Sequence, residues 1–434
     1  MEQPHSYPLE RIAMDRRTFL STLALAPLAA VATRHLGLSH PLESMLRELP
    51  KYSGSMWIYL WDLVDEGQES VFQKLRDNKI TGISLASAYH TGKFLEPHNP
   101  KEKVVFLEDG TIYFRHNPKL YGRLKPKQNS LIGAGHSLQT VKRAAERAAL
   151  QTRAWVVCCH NTRLGMLYPD IVCEDCFGDK IYHNLCPSNE DVRKYLRALV
   201  SDVASIGVDT IELEALQFQG YTHGYHHERE GIELNSASRF LLGLCFCPAC
   251  VKRASQSKCD IRSAQQFTKQ TLESWFADPS RAASQYPGFD ILPEDVFGSM
   301  NVWRQSVVSS LVDELMDAAK GTKLRQLVSM EPSARKLAGV DVVRSAKSTG
   351  GILALGYVKD GAELRKPLEE LQKSIGEAQI TLGLQVGLPE SGGKKEFLGK
   401  VLTAREFGIN SFNYYNYGFI PLQNLSWIKE AVAD

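Results

Sequence analysis

The chain has 434 residues, 43% of them hydrophobic and 23% charged, and a net charge of +2. That length allows one large α/β domain or two average ones, with ample apolar material for a core. So small a net charge gives no support to a nucleic-acid or membrane-surface role, and no apolar run after residue 40 is long enough to span a bilayer.

Near the start, Asp15-Arg16-Arg17-Thr18-Phe19-Leu20 precedes an apolar run from Leu23 to Val31, and Ala30-Val31-Ala32 is a small-residue cleavage site. This resembles a bacterial twin-arginine export signal. The resemblance implies that the twin-arginine translocon carries an already folded protein to the periplasm or beyond, with any metal inserted in the cytoplasm. Residues 1–32 are therefore read as signal, 33–50 as linker and 51–434 as one catalytic domain.

From there strands alternate with helices. Met56–Asp62 reads as a first strand and Ser70–Asn78 as the helix behind it. Ile80–His90 is a second strand. In its exit loop, Lys103–Leu107 and Thr111–Arg115 flank an Asp-Gly turn and predict a hairpin. Ser137–Gln151 is helical and Arg153–His160 is a third strand. A long cysteine-bearing loop leads to the amphipathic helix Asn189–Ile206, with Ser188 as its expected N-cap. Val208–Leu216 is the fourth strand. In it Thr210, Glu212 and Glu214 share one face, and Ile211, Leu213 and Ala215 the other. The stretch from Ser236 to about 300 shows no strand signal and reads as a helical insertion, and Val302–Lys320 as a long helix. Strands follow at Leu324–Glu331, Gly351–Tyr357, Gln379–Gly387 and Asn410–Tyr417. Helices follow at Ala362–Ile375, Lys394–Phe407 and Ser426–Val432. Eight strands alternating with helices predict an α/β fold, a (β/α)8 TIM barrel with long loops after strands 2, 3 and 4. No Gly-x-Gly-x-x-Gly follows the first strand, which weighs against an open nucleotide-binding sheet, and no organic cofactor is expected.

In such a barrel the chemistry sits at the carboxyl ends of the strands. Here those ends carry Trp61 and Asp62, Tyr89 and His90, His160 and Asn161, Glu214, Glu331, Tyr357, Gln385, and Asn413 with Tyr415. Flat aromatic faces stack on sugar rings, and amides and acids bond hydroxyls, so this rim suits an oligosaccharide or polysaccharide. Glycosidic cleavage needs two carboxyl groups. Glu214 is the expected acid, flanked by apolar surface, and Glu331 the expected partner on the adjacent strand. Glu212 lies one step deeper. His223 and His226, in the loop after strand 4, are placed to reach over the mouth.

These residues resemble glycoside-hydrolase barrels. In the large clan with catalytic glutamates, the acid/base ends strand 4 and the nucleophile ends strand 7. Glu214 matches the first place. Strand 7 offers Gln385, with Glu390 the nearest acid beyond Leu388-Pro389, and Leu213 stands where that clan has Asn. Strand 4 also resembles the chitinase pattern of alternating acids, but that family's last glutamate would fall on Leu216.

Cys245-Phe-Cys247-Pro-Ala-Cys250 places three thiols on one tight turn, a soft-metal signature. Certain barrel β-galactosidases share this spacing, and the resemblance implies a structural zinc completed by a cysteine of an earlier loop. Of Cys173, Cys176 and Cys186, the first two are expected as the ligand. Disulfides are the alternative, since an exported protein meets an oxidising compartment. Cys158 and Cys159 read as core. Two other functions stay open: a carbohydrate-binding barrel without catalysis, and a metal-dependent hydrolase or isomerase using His90, His160, His226 and Glu214.

Overall fold

The computed structural model describes residues 52–432 apart from 223–227. The expected signal and linker, and His223 and His226, lie outside the described residues.

Eight parallel strands form the centre: β1 Ser53–Ile58, β2 Gly82–Tyr89, β3 Gln151–Val157, β4 Thr210–Glu214, β5 Lys323–Ser329, β6 Gly351–Leu355, β7 Gln379–Gln385 and β8 Ser411–Tyr415. Each pairs with its neighbours in chain order, and β1 pairs with both β8 (Ser53↔Ser411) and β2 (Ser55↔Gly82), which closes the barrel. The expected (β/α)8 barrel is the fold. The outer ring is α1 Gln68–Asp77, α2 Leu138–Arg147, α3 Glu190–Ser205, α4 Glu294–Ala318, α5 Val342–Thr349, α6 Gly361–Ile375, α7 Lys394–Glu406 and α8 Leu425–Ala431. Residues of one parity on each strand fill the barrel and the others meet the helices. Ile211 and Leu213 are fully buried on the helix side of β4.

The long loops follow β2, β3 and β4 as expected, and the β4 loop carries helices Ser236–Leu242, Pro248–Ala254, Ile261–Ala277 and Ser280–Gln285. Four details differ from expectation. The first strand ends at Ile58, and Trp61 and Asp62 lie on a helix, Leu60–Glu66, instead of at the strand's end. The long fourth helix starts at Glu294 rather than Val302, because Pro293 can precede a helix and Glu294 and Asp295 suit its positive end. Asn189, not Ser188, caps α3, accepting from the amides of Asp191 and Val192. The hairpin expected around Gly110 does not form. Val104–Phe106 instead pairs antiparallel with Lys93–Leu95, and Thr111–Ile112 adds to the end of β2. A two-stranded ribbon alone is marginal in water, and Thr111 and Ile112 become buried by joining the larger sheet.

Candidate active site at the carboxyl ends of the strands

Inside the barrel the deepest acid is Glu212, fully buried. Ser84 of β2 and Arg153 of β3 donate to it, as does Asn413 Nδ2 of β8 at 2.8 and 2.9 Å to its two oxygens. Burial pushes its carboxyl up and Arg153 pulls it back. Glu212 and Asn413 were expected to touch substrate. Glu212 is paired instead, taking Asn413 Nδ2 while Asn413 Oδ1 stays buried without a partner among the described residues, and the two form a polar floor joining β2, β3, β4 and β8 below the mouth.

One inward step higher, at the end of β4, stands Glu214. The Trp155 indole N–H donates to its Oε2. Burial pushes its carboxyl up to about 7, and the Trp155 hydrogen bond only partly offsets this. Around it lie flat rings. Trp57 of β1 and Trp155 of β3 have centroids 5.9 Å apart, and Tyr415 of β8 lies 5.7 Å from Trp57 and 6.1 Å from Trp155. Tyr357 lies 6.1 Å from Tyr415. Gly383 of β7 makes room for this set, since a Cβ there would lie 2.9 Å from the Trp57 indole. Directly after Glu214 the chain turns through Ala215 at φ 54, the left-handed region.

A second carboxyl group lies within electrostatic reach of the same rings. Tyr357 and Tyr415 are both pushed up, first by burial, and both then feel the charges of Glu214 and Glu390. Glu390 follows β7, and its Oε2 is buried without a hydrogen-bond partner among the described residues. The same is true of Gln385 Oε1 at the end of β7.

Glu331 is not brought to this group. β5 ends at Ser329, and Glu331 lies two residues beyond as the exposed N-cap of helix Pro332–Ala338, its charge felt by Arg335. Asn161 is also committed elsewhere: its Oδ1 caps helix Thr162–Leu167 through the Leu164 amide at 2.9 Å. His90 and His160 do meet, stacked at 4.1 Å and 4°, with Tyr89 stacked on His90 at 4.4 Å. Tyr89 also accepts from Tyr59 O–H at 3.1 Å.

Trp61 and Asp62 belong to a buried latch beside the mouth rather than to its open rim. The Trp61 indole donates to Glu96 Oε1, and Asp62 accepts from the Tyr59 amide at 2.8 Å. Burial, and next the charge of Glu96, push Asp62 well up. A Cβ on Gly418 would lie 2.7 Å from Asp62 Oδ1 and 3.3 Å from Glu96 Oε1, so the β8 exit approaches both acids closely. Phe94, on the same loop as Glu96, roofs Tyr59 at 5.3 Å and Phe419 at 4.8 Å.

No protein-family model and no curated protein matches the chain. The barrel is similar to those of three β-galactosidases. That from Bacillus circulans sp. alkalophilus gives a TM-score of 0.53 at 12% identity, over 85% of this chain and 51% of that one. That from the psychrophilic Marinomonas ef1 gives 0.52 at 9%, over 87% and 59%. That from Rahnella sp. R3 gives 0.50 at 11%, over 85% and 50%. This chain thus spans about half the length of these structures, and the likeness is one of fold.

Beside the barrel, Cys186, Cys245, Cys247 and Cys250 bring four buried sulfurs within 4.8 Å of one another. Cys186 lies 3.5 Å from Cys247, 3.5 Å from Cys250 and 3.9 Å from Cys245. Four sulfurs held about 2.3 Å from a zinc ion at tetrahedral angles stand about 3.8 Å apart, while a disulfide needs about 2.05 Å. The group therefore has the size of a metal cage. The fourth member is Cys186, not Cys173 or Cys176. Strand Lys180–Leu185 delivers Cys186 directly to the Cys245 turn, whereas Cys173 lies alongside, hydrogen-bonded to Cys186 and Cys245. Cys176, buried and pushed up to about 12, has Asp175, Lys269 and Glu273 as its charged surroundings instead. Although burial raises it, hydrogen bonds from Cys173, Cys186, Cys247 and Cys250 hold Cys245 well below the usual thiol range. Ser188, expected as a cap, lies 3.4 Å from Cys250 Sγ. Cys158 and Cys159 are buried. Among the described residues no second group has ligating spacing, and His226, expected beside His90, His160 and Glu214, lies outside them.

Sequence reasoning missed three participants. Trp57 and Trp155 lie within strands rather than at their exits, and interior parity was the signal for them. Glu390 was noticed only as the nearest acid to strand 7.

Proposed function

We propose that this chain is an exported glycoside hydrolase in which Glu214 is the general acid and Glu390 the second carboxylate. The observation that carries the reading is that Glu214 ends β4 beside the buried indole of Trp155, while Glu390, after β7, holds a buried Oε2 without a partner among the described residues and lies within electrostatic reach of the same two phenols, Tyr357 and Tyr415. Glu214, held at about 7, is protonated in a large share of molecules at neutral pH and can give that proton to the glycosidic oxygen as the C–O bond breaks. Glu390 then either attacks the anomeric carbon or takes a proton from the water that does. Tyr357 and Tyr415, half-buried at the mouth, offer faces on which a pyranose ring stacks, and the buried indoles of Trp57 and Trp155 back them. The substrate class is an oligosaccharide or polysaccharide, and the likeness to β-galactosidase barrels makes β-galactosides the first compounds to try. Zinc is the ion proposed for Cys186, Cys245, Cys247 and Cys250. Its part is to hold the β3 and β4 loops together, away from the bond being cleaved.

The test is hydrolysis of a glycan panel by the mature protein and three single variants. Glu214→Gln and Glu390→Gln should each lower kcat/KM by several orders of magnitude while glycan binding survives, and Glu331→Gln should stay within about threefold of the parent. Loss of activity in Glu331→Gln but not in Glu390→Gln would return the second carboxylate to β5. Glycan binding without hydrolysis by the parent protein would favour a carbohydrate-binding barrel.

A further inference from the structure

Arg304, on α4, is 1% exposed, and its guanidinium is poorly served. Nη2 donates to the Leu337 carbonyl at 2.6 Å, while Nε and Nη1 are buried without acceptors among the described residues. The ring of Phe218 lies 5.1 Å and that of Phe240 5.6 Å from its central carbon. Among the described residues no carboxylate forms an ion pair with it, although Arg153 and Arg193, equally deep, each have one. A buried cation without a counter-charge costs several kcal/mol. Burial draws Arg304 down to about 10, and the groups opposing that fall are Cys250, Cys173 and Cys245.

The cysteine cage has the converse difficulty. Four thiolates around a divalent ion leave a net charge of about −2 in a buried volume. A nearby cation is Lys180, which is paired with Glu174 and so brings little free charge. Arg193 Nη1 donates to the carbonyl of Pro187, next to Cys186, at 3.0 Å and to that of Val307, one turn along α4 from Arg304, at 3.3 Å, so the deficit at Arg304 and the excess at the cage match in sign and lie on adjoining elements. We propose that Arg304 is the counter-charge of the four-thiolate metal site and couples that site to the β4 and β5 exits.

The coupling follows from what else Arg304 touches. Phe218 lies four residues beyond Glu214, and Leu337 is on the helix that leaves β5. Loss of the ion frees the four sulfurs from their cage and removes the fixed negative charge that faces Arg304. The guanidinium then gains by turning toward water, and Phe218 and the Leu337 carbonyl lose their anchor. This inference rests on the metal reading of the cage and is tested separately from it.

The experiment measures zinc affinity of the full mature protein by competition with a chromophoric chelator. Cobalt substitution serves as the check on the cage. A four-thiolate cobalt spectrum in the parent establishes the cage, and its absence would remove the metal reading itself. Given that spectrum, Arg304→Met should bind zinc at least about tenfold more weakly, and Arg304→Lys should stay within about threefold of the parent, because charge rather than shape is at issue. Equal zinc affinity in the parent and Arg304→Met would overturn the proposal. Should Arg304→Met fail to fold, hydrogen exchange on the parent decides. Chelation should raise exchange at residues 216–218 and 337–339. A rise confined to the cysteine loops would overturn it.

Discussion

A carboxyl group serves as a general acid near neutrality only where its surroundings penalise the anion, and the same penalty falls on the fold. Glu214 sits at about 7 against a usual value near 4.5. Folded and unfolded chains are both protonated well below 4.5, so burial there costs no charge. As pH rises through 4.5 to 7 the unfolded chain ionises first, and folding loses stability over that window. Allowing for the partial exposure of Glu214 at the rim, the loss is about 1–3 kcal/mol. Glu214→Gln keeps an acceptor for the Trp155 N–H and carries no charge. It should therefore be about 1–3 kcal/mol more stable than the parent at pH 8, equal to it at pH 4, and inactive at both, as measured by urea unfolding. Hydrolysis by the parent should decline tenfold per pH unit above about 7. An advantage over the parent no larger at pH 8 than at pH 4 would show that Glu214 is not held protonated. Glu212 and Glu214 were legible in the sequence because alternation on a strand fixes which side chains share a face. Glu390 was not legible as a partner. It follows Leu388-Pro389 in a loop, where no periodicity says which way a side chain points. Glu331 looked better by its place at a predicted strand end, and the true end two residues earlier put it on the outside.

The elements that shape the mouth are the three exits tied together by Glu66. This acid, on the helix Leu60–Glu66 after β1, receives hydrogen bonds from His98 of the β2 loop, Lys74 of α1 and Tyr417 beyond β8. His98 Nε2 also lies 2.8 Å from the Tyr417 carbonyl. Burial would raise Glu66, but these bonds outweigh it and hold it at about 2. Its stabilisation is present in full above the usual 4.5 and is lost as pH falls through about 2. Glu66→Gln should cost about 2–3 kcal/mol at pH 7, and the difference from the parent should shrink between pH 4.5 and 2. Urea unfolding at several pH values measures it. A gap that stays constant with pH would assign the effect to packing instead of charge. The sequence announced the barrel strands and their helices through repeated apolar runs between polar loops. It could not announce this latch, whose residues are separated by 32 and 351 positions and meet only because the barrel closes β8 onto β1. The misplaced hairpin has the same origin. A turn signal at Asp109-Gly110 is local, while the partner chosen by Thr111 and Ile112 is the end of β2.

At the scale of the whole molecule, nine thiols have to be reconciled with the export proposed for this chain. All nine thiols are buried and unpaired. A chain threaded unfolded into an oxidising compartment would expose them to disulfide formation before any cage existed. A chain that folds first shields them, and metal binding to the cage contributes to folding in the reducing cytoplasm. The Arg16-Arg17 motif resembles a signal for transport of folded protein, so route and thiol chemistry fit one account. We propose that the cage is loaded before export. Arg16→Lys with Arg17→Lys should keep the protein inside the cell, folded and carrying one zinc per chain. Replacing residues 1–32 with a signal for unfolded-chain secretion should instead deliver protein that lacks zinc and contains disulfides, as read by metal analysis and thiol titration. Zinc-loaded, fully reduced protein from the unfolded-chain route would break the link between route and cage.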